Sequence, residues 1–208
     1  MDIQFHGANC LTLTTKQARM VVDDNLAELG GKTVSKAGDV AVFTAVHKDP
    51  AQPAKIVIDQ PGEYEVSGVS IYGIAARGHM DEEKQKTATI YKMVVDDLRV
   101  LIVGHVYPDL SDAQLEKIGM VDIMIIPVGG NGYTLDPIGA LKLIKKVEPK
   151  LVIPTHYDDK TLNFPVPQQD LDQALKSLAM EPKETVTKLK IKHADMADTA
   201  QLVVVERS

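Results

Sequence analysis

The residues best suited to chemistry in this sequence are its histidines. There are six of them: His6, His47, His79, His105, His156 and His193. His47, His105 and His156 each follow a short apolar run that predicts a strand, and His79 follows another such run by a few residues. Ligand sites in layered α/β folds lie outside the carboxyl ends of strands, so we expect these four histidines to converge at one sheet edge.

The chemistry that such a cluster could perform is metal binding. Neutral imidazoles and carboxylates gathered at strand ends are common ligands of zinc and manganese. Asp49 lies close to His47, and Asp81 closely follows His79. Any one of these histidines alone is better explained as a surface-loop residue bonded to nearby backbone. Four of them at strand ends favour a shared site.

The secondary structure that must position these residues differs between the two halves of the chain. The first half has short runs rich in β-branched residues, which predict strands, separated by turn residues. Gly62 and Gly68 bracket a predicted hairpin. After Gly104 the pattern alternates between helices and buried strands. Helices are predicted over Leu110–Ile118, from Asp136-Pro137 through Val147, and over Gln168–Leu178. The predicted strands are Leu11–Thr15, Arg19–Val22, Val40–Thr44, Ile56–Ile58, Tyr64–Val66, Val69–Ile74, Thr87–Val95, Val100–Val103, Val121–Ile126, Leu151–Ile153, Thr185–Ile191 and Gln201–Val205.

The composition limits the classes of protein to consider. With 208 residues and no composition break, we expect one layered α+β or α/β domain over residues 1–208. No apolar run reaches membrane-spanning length, no signal peptide is visible, and the lone Cys10 fits a reducing compartment, so the expected location is cytoplasmic. The net charge of −6, with no basic stripe, argues against a nucleic-acid partner.

Several segments resemble the metallo-β-lactamase superfamily, in particular small bacterial hydrolases related to ascorbate-6-phosphate lactonase. The segments that carry the resemblance are Phe5–Cys10, Val21–Asp23, Asp39–Thr44, Gln60–Glu65, Leu98–Gly104, Ile126–Gly130 and Val152–Tyr157. The similarity runs over residues 1–180, and residues 181–208 are predicted to add C-terminal strands. The resemblance implies an αββα sandwich with the active site along one edge.

The resemblance also implies a metal motif, which this chain carries in an altered form. The family has a His-x-His-x-Asp-His loop that contributes ligands to two metal ions. Here that loop reads Ala45-Val46-His47-Lys48-Asp49-Pro50, so its first and last histidines are replaced while His47 and Asp49 remain. Near the start, Gly7-Ala8-Asn9-Cys10 replaces the usual Gly-His-Ser-Cys.

The three remaining family ligands correspond to His79, His105 and His156. His105 stands in place of the family's bridging aspartate. Two closely spaced divalent ions need an anionic bridge, so the standard two-metal site is not expected to assemble. A single zinc or manganese ion could be held by His79, His105 and His156, with His47 or Asp49 as a further ligand. One ion and no tightly bound metal are equally weighted alternatives.

Other residues receive supporting roles in this interpretation. Asp49 or Asp81 could act as a base toward a water nucleophile. Asp23 matches a family position that braces the ligand loop by hydrogen bonds. Tyr133 and Thr134 follow a glycine-rich turn beside the expected pocket, where they could contact substrate.

Three functions remain open from the sequence. The first is a metal-dependent hydrolase that acts on a small-molecule ester, lactone or phosphodiester through a rebuilt one-metal site. The second is a catalytically inactive pseudoenzyme that keeps the fold as a binding or assembly module. A nucleic-acid-processing enzyme ranks last because of the acidic charge. A homo-oligomer is compatible with each of these functions.

Overall fold

The computed structural model describes residues 1–208 and contains two β-sheets. The first sheet is built from β1 (Asp2–Gly7), β2 (Cys10–Thr14), β3 (Arg19–Val22), β4 (Val40–Val42), β5 (Ile56–Ile58) and β13 (Leu189–Lys190). Their order is β13-β1-β2-β3-β4-β5. The strands β1, β2, β3 and β13 pair antiparallel, whereas β3, β4 and β5 run parallel.

The second sheet has eight strands, and three of the histidines discussed above, His79, His105 and His156, follow strands of this sheet. They are β6 (Gly62–Val66), β7 (Val69–Ala76), β8 (Ala88–Val95), β9 (Leu98–Ile102), β10 (Ile123–Pro127), β11 (Leu151–Thr155), β12 (Pro182–Val186) and β14 (Gln201–Val205). Their order is β12-β14-β11-β10-β9-β8-β7-β6. The strands from β6 to β9 form an antiparallel meander, and β9, β10, β11, β14 and β12 are parallel.

Three helices have the capping residues that the sequence provides. They are α1 (Asp112–Ile118), α2 (Pro137–Val147) and α3 (Leu171–Leu178), with N-caps Ser111, Asp136 and Asp170. Each cap side chain accepts a hydrogen bond from a first-turn backbone N–H, which satisfies a donor that the helix itself cannot pair. Short 3₁₀ turns cover Leu26–Leu29 and His193–Asp195. None of the helices has the length and apolar character needed to cross a bilayer.

One hydrophobic core joins the two sheets. It contains 49 buried residues drawn from both, including Phe5 and Met20 of the first sheet and Ile90 and Met93 of the second. The helix α2 contacts α1, α3 and β10. The strands β10 and β11 are buried at every position, as their continuous apolar sequences predict.

Two sequence predictions about strands are wrong. Residues 185–191 do not form one strand, because β12 ends at Val186 in the second sheet while β13 pairs with β1 in the first. The first strand, Asp2–Gly7, is absent from the prediction. Its residues alternate between polar and apolar only over Asp2–Phe5, and its end is buried by the return of the C-terminal residues, since Ser208 N–H donates to the Phe5 carbonyl.

Candidate functional site

A cavity of about 240 Å³ opens where the loops after several strands meet. Its walls include His47, which follows β4, His79, which follows β7, and His105, which follows β9. Tyr133, from the glycine-rich turn before α2, forms another part of the wall. Three of the four histidines predicted to meet at strand ends therefore line one cavity.

His156 joins this group from β11, behind the wall. Its ring meets the ring of His105 edge to face, with centroids 4.7 Å apart and planes at 83°. The ring of Tyr133 lies 5.4 Å from His105 and 5.6 Å from His156. Phe164 covers the outer side of His156 at 5.0 Å, and His156 is almost fully buried.

The backbone fixes the positions of these histidines. The His79 N–H donates to the His105 carbonyl over 2.7 Å, which fastens the loop after β7 to the loop after β9. His156 has a left-handed backbone conformation with φ of 56°, and its N–H donates to the Ala8 carbonyl over 2.8 Å. Main-chain hydrogen bonds hold the backbone at each of these histidines, so the positions of the loops do not depend on bonds made by the imidazole rings.

All three histidines of this group are neutral at neutral pH. Burial lowers the pKa of His105 to about 4 and that of His156 to about 3. Desolvation also lowers the pKa of His79. Burial disfavours the charged imidazolium, and a neutral imidazole keeps the lone pair that a metal or a hydrogen-bond donor requires.

Several buried polar atoms around the cavity have no partner within the protein. They are Asn9 Nδ2, Asn25 Oδ1, His79 Nδ1, Thr134 Oγ1, His156 Nδ1 and Gln168 Oε1. Leaving such a group unpaired costs about 1–3 kcal/mol. All of them belong to segments that line the cavity or flank His156, which makes this the region where bound polar groups would gain the most.

His47 lines the cavity but is engaged elsewhere. Its Nδ1 contacts the Lys48 carbonyl at 2.6 Å, its Nε2 contacts Asp59 at 3.0 Å, and its ring stacks on Phe43 at 3.8 Å. Desolvation lowers the pKa of His47, but these two hydrogen bonds outweigh that effect and raise the pKa above its ordinary value. Both ring nitrogens of His47 therefore already have partners, and neither is free to bind a metal ion together with the other histidines.

The two aspartates predicted as bases lie in different surroundings. Asp81 lines the cavity, where its carboxylate accepts hydrogen bonds from the Gly78 N–H and from the N–H and hydroxyl of Thr87. Desolvation raises the pKa of Asp81, but these bonds outweigh it and hold the pKa below its usual range. Asp49 is exposed and lines a neighbouring depression with His47, outside the main cavity.

Asp23 braces the loop after β4. Its carboxylate accepts hydrogen bonds from the Thr44 N–H at 2.7 Å and the Thr44 hydroxyl at 2.6 Å. Burial raises the pKa of Asp23 to about 6, against the effect of these bonds. Thr44 in turn packs so closely on Gly104 that a Cβ there would lie 2.4 Å from it, which requires glycine before His105.

The predicted substrate contacts divide between wall and interior. Tyr133 is half-buried and reaches the cavity, whereas Thr134 is fully buried behind it. Sequence reasoning missed Asn9 and Gln168 as neighbours of His156. Gly129 signals this packing, because a Cβ there would lie 2.0 Å from the His156 carbonyl and 2.3 Å from Gln168 Oε1.

The residues present do not fit the family's two-metal centre. Ala45 and Pro50 offer no ligand atom, and His105 supplies no anionic bridge between two cations. The donor types do suit one ion, since His79 and His156 each have a buried, unpartnered Nδ1. No three His, Cys, Asp or Glu side chains converge on one point in the structure, so such an ion would require the imidazole rings to rotate. Rotation about the imidazole χ2 is soft.

The comparison with known proteins defines the class to which this fold and cavity belong. Residues 2–156 match the sequence profile of the β-lactamase superfamily domain, and the chain belongs to that superfamily. A protein named a metal-dependent hydrolase from Enterococcus faecalis is 29% identical over 163 residues, which cover 76% of this chain and 59% of that protein. The chain thus spans less than two thirds of that relative's length.

Solved structures agree with this assignment. A protein from Thermotoga maritima assigned as a Zn-dependent hydrolase of the metallo-β-lactamase superfamily has a TM-score of 0.75 and 25% identity, with 99% of both chains covered. A protein from Parabacteroides distasonis assigned as a metal-dependent hydrolase has a TM-score of 0.65 and 18% identity, over 99% of this chain and 93% of that one, and shows the fold alone. The predicted layered metallo-β-lactamase fold is confirmed.

Proposed function

We propose that this chain is a hydrolase that cleaves an ester, lactone or phosphodiester in a small molecule with the help of one zinc or manganese ion. The observation that carries the proposal is the group formed by His79, His105 and His156. His79 and His105 line one cavity and His156 lies behind its wall against His105; all three are neutral, and His79 and His156 have unpartnered buried nitrogens. The relatives named as metal-dependent hydrolases support the same reaction class.

The roles of the chain's own residues follow from their positions. His79, His105 and His156 would hold the ion once their rings rotate toward one point, and the ion would supply Lewis acidity at the scissile bond. Tyr133 would contact the substrate, since its side chain stands in the cavity wall beside His105. Phe164 shields His156 from water on the other side.

Proton transfer falls to Asp81 rather than Asp49. Asp81 is the carboxylate of the pair that lines the cavity, and its lowered pKa keeps it ionised and able to accept a proton. Its three hydrogen bonds fix its position, but they also make it a weaker base. Asp49 is exposed and lines a neighbouring depression instead of this cavity, so we assign the role to Asp81.

A specific observation favours a second candidate, a pseudoenzyme that binds a small molecule without cleaving it. Three potential ligands do not converge in the structure, and two histidines of the family loop are replaced by Ala45 and Pro50. The same cavity would then serve recognition alone. Function within a fold is decided by the site, so metal content separates the two candidates.

The test is the metal content of untagged protein, measured by mass spectrometry after zinc or manganese loading, with anomalous scattering to locate the ion. We expect one ion per chain, lost in His156→Ala. The matched control is His193→Ala, because His193 is exposed, lies in the 3₁₀ turn before β14 and does not line the cavity. If the protein retains no metal after incubation with zinc or manganese, the hydrolase proposal is rejected and the pseudoenzyme remains. Unchanged stoichiometry in His156→Ala would show that other residues bind the ion.

A further inference from the structure

Behind the cavity wall, two of the unpartnered buried polar atoms belong to neighbouring side chains. His156 Nδ1 and Gln168 Oε1 both lack a hydrogen-bond partner, although the two residues are only 1% and 7% exposed. Unpaired polar atoms are costly at such depth. These two are also complementary, because a ring nitrogen can donate a hydrogen bond and an amide oxygen can only accept one. Gln168 has no part in the proposed chemistry so far.

The backbone around Gly129 brings the two residues together. A Cβ on Gly129 would lie 2.0 Å from the His156 carbonyl oxygen and 2.3 Å from Gln168 Oε1, so both atoms pack against the same point of this glycine. The Gln169 N–H donates to the Gly129 carbonyl over 2.8 Å, which holds the segment that carries Gln168 in place. The amide of Gln168 therefore lies beside His156 through contacts that the main chain maintains.

A second contact fixes which half of the Gln168 amide is available. Gln168 Nε2 donates to the Val166 carbonyl over 2.7 Å. Because a carbonyl oxygen only accepts, the NH₂ half of the amide must face Val166, and Oε1 is directed away from it. Burial and the His105 ring lower the pKa of His156, whereas the nearby Gln168 side chain acts in the opposite direction, as an acceptor beside a ring N–H does.

We propose that Gln168 is a positioning residue, whose Oε1 accepts the Nδ1–H of His156 and so leaves His156 Nε2 as the nitrogen that binds the ion. Histidines that bind metals generally donate their other ring N–H to a fixed acceptor, which sets the tautomer and the direction of the ring. Nδ1 keeps its hydrogen in this arrangement whether Nε2 is bare, protonated or bound, so the pairing does not depend on the charge of the ring. This inference rests on the proposed function for the role of His156 and specifies which of its nitrogens is the ligand.

Asn9 offers the competing partner for the same ring nitrogen. Its Nδ2 is also buried and unpartnered, and its Oδ1 accepts the hydroxyl of Thr155, the residue before His156, over 3.0 Å. If Asn9 Nδ2 donated to His156 Nδ1, that nitrogen would present its lone pair and the ring hydrogen would be on Nε2. The two arrangements therefore require opposite tautomers of His156, which a single measurement separates.

The first test is the tautomer of His156 in the full-length, metal-free protein. Long-range ¹H–¹⁵N correlation spectra of protein labelled at histidine, recorded at neutral pH, show which ring nitrogen carries the hydrogen. The signals of His156 are identified by their loss in His156→Ala. We expect the hydrogen on Nδ1, and a hydrogen on Nε2 with a bare Nδ1 would overturn the inference. This measurement needs no substitution of Gln168, so it decides the question even if the Gln168 variants fail to fold.

Two variants isolate the acceptor. Gln168→Met and Gln168→Glu both remove the donor to Val166, but only Gln168→Glu keeps an acceptor for His156. Gln168→Met should move the ring hydrogen to Nε2, because the Asn9 amide can then donate to a bare Nδ1, and should weaken zinc binding by roughly 10–100-fold. Gln168→Glu should keep the hydrogen on Nδ1. The matched control is Gln169→Met, because the Gln169 side chain lies against Gly130, and it should change neither quantity.

The outcomes distinguish this inference from the proposed function. An unchanged tautomer in Gln168→Met would overturn the inference, and so would loss of the Nδ1–H form in both Gln168 variants, which would assign the effect to the bond with Val166. Metal binding by the same samples is measured in parallel. A protein that binds no ion but has the Nδ1–H tautomer in dependence on Gln168 would reject the hydrolase and keep Gln168 as the acceptor that orients His156. A protein that binds one ion but has the hydrogen on Nε2 when metal-free would do the reverse.

Discussion

The imidazole rings of His105, in the cavity wall, and His156, behind it, meet edge to face with centroids 4.7 Å apart. His105 occupies the position at which the superfamily resemblance implies a bridging aspartate. Burial lowers the pKa of His105 to about 4 and that of His156 to about 3, and the neighbouring His105 ring contributes to the lowering at His156. The site thus contains two adjacent neutral imidazoles where the resemblance implies one imidazole and one carboxylate.

Restoring a carboxylate at this position should increase affinity for a divalent cation. We expect His105→Asp to bind zinc at least tenfold more tightly than His105→Asn, because the two side chains are nearly isosteric and differ in charge. Zinc titration in the presence of a competing chelator would measure both constants. Equal affinities would show that the residue at position 105 does not face the bound ion.

The buried carboxyl group of Asp23 should give the protein a characteristic pH dependence. Its pKa of about 6 in the folded state lies above the ordinary value of 3.8, so the folded protein binds more protons between these values. Asp23 therefore favours folding below about pH 4, and this contribution is lost as the pH rises through 6. Since one pKa unit corresponds to about 1.4 kcal/mol, the loss is on the order of 3 kcal/mol.

Two variants test this assignment by urea denaturation between pH 4 and pH 7. The side chain introduced in Asp23→Asn cannot ionise, so this variant should not lose stability in this way. The difference in unfolding free energy between the variant and the unmodified protein should therefore increase as the pH rises from 4 to 7. Thr44→Val removes the hydroxyl donor to Asp23 and should make the loss with rising pH steeper. Parallel stability curves for all three proteins would contradict the assignment.

A methyl group at Gly129 should disturb His156 from the backbone side. Because a Cβ there would lie 2.0 Å from the His156 carbonyl, we expect Gly129→Ala to destabilise the protein by about 3 kcal/mol and to shift the His156 ring resonances. Gly132→Ala, in the same loop, meets no neighbouring atom and changes only a left-handed position, which should cost about 1 kcal/mol. Similar losses in the two variants would mean that the loop moves aside freely.

The ion pair of Arg99 and Asp122 should be important for stability. Asp122 lies directly before β10, is fully buried and accepts two side-chain hydrogen bonds of 2.8 Å from Arg99. Arg99→Met should destabilise the protein by about 3 kcal/mol, because it leaves a buried carboxylate poorly compensated. Lys188→Met, which removes the more exposed pair with Asp2, should cost less than about 1 kcal/mol. Chemical denaturation of both variants gives the comparison, and equal costs would contradict it.

Much of the fold could be predicted from the sequence because local signals agree with the final packing. Arg19–Val22, Ile56–Ile58 and Gln201–Val205 form strands with the predicted bounds, and α2 begins after the N-cap Asp136 and ends at Val147 as predicted. The C-terminal residues 182–190 were harder, since a turn redirects the chain from one sheet to the other and no local pattern shows which sheet receives each strand.

The site was predictable in its location but not in its contacts. That His79 and His105 line one cavity, with His156 against His105, agrees with the expectation that histidines after strands gather at one sheet edge. The direction of His47 depends instead on Asp59, which lies after the next strand and becomes a neighbour only because β4 and β5 pair in parallel. The unpaired atoms of Asn9 and Gln168 likewise arise from the contact of segments far apart in the chain.

The hydrogen bond from the His79 N–H to the His105 carbonyl bears on how such a site can evolve. Because this contact uses only main-chain atoms, the hydrogen bond between the two loops does not depend on which side chains stand at these positions. Selection could thus exchange a carboxylate for an imidazole at position 105 while the shape of the cavity persisted. In a scaffold of this kind, the fold and the shape of the cavity can be inherited while the chemistry of the side chains in the site changes.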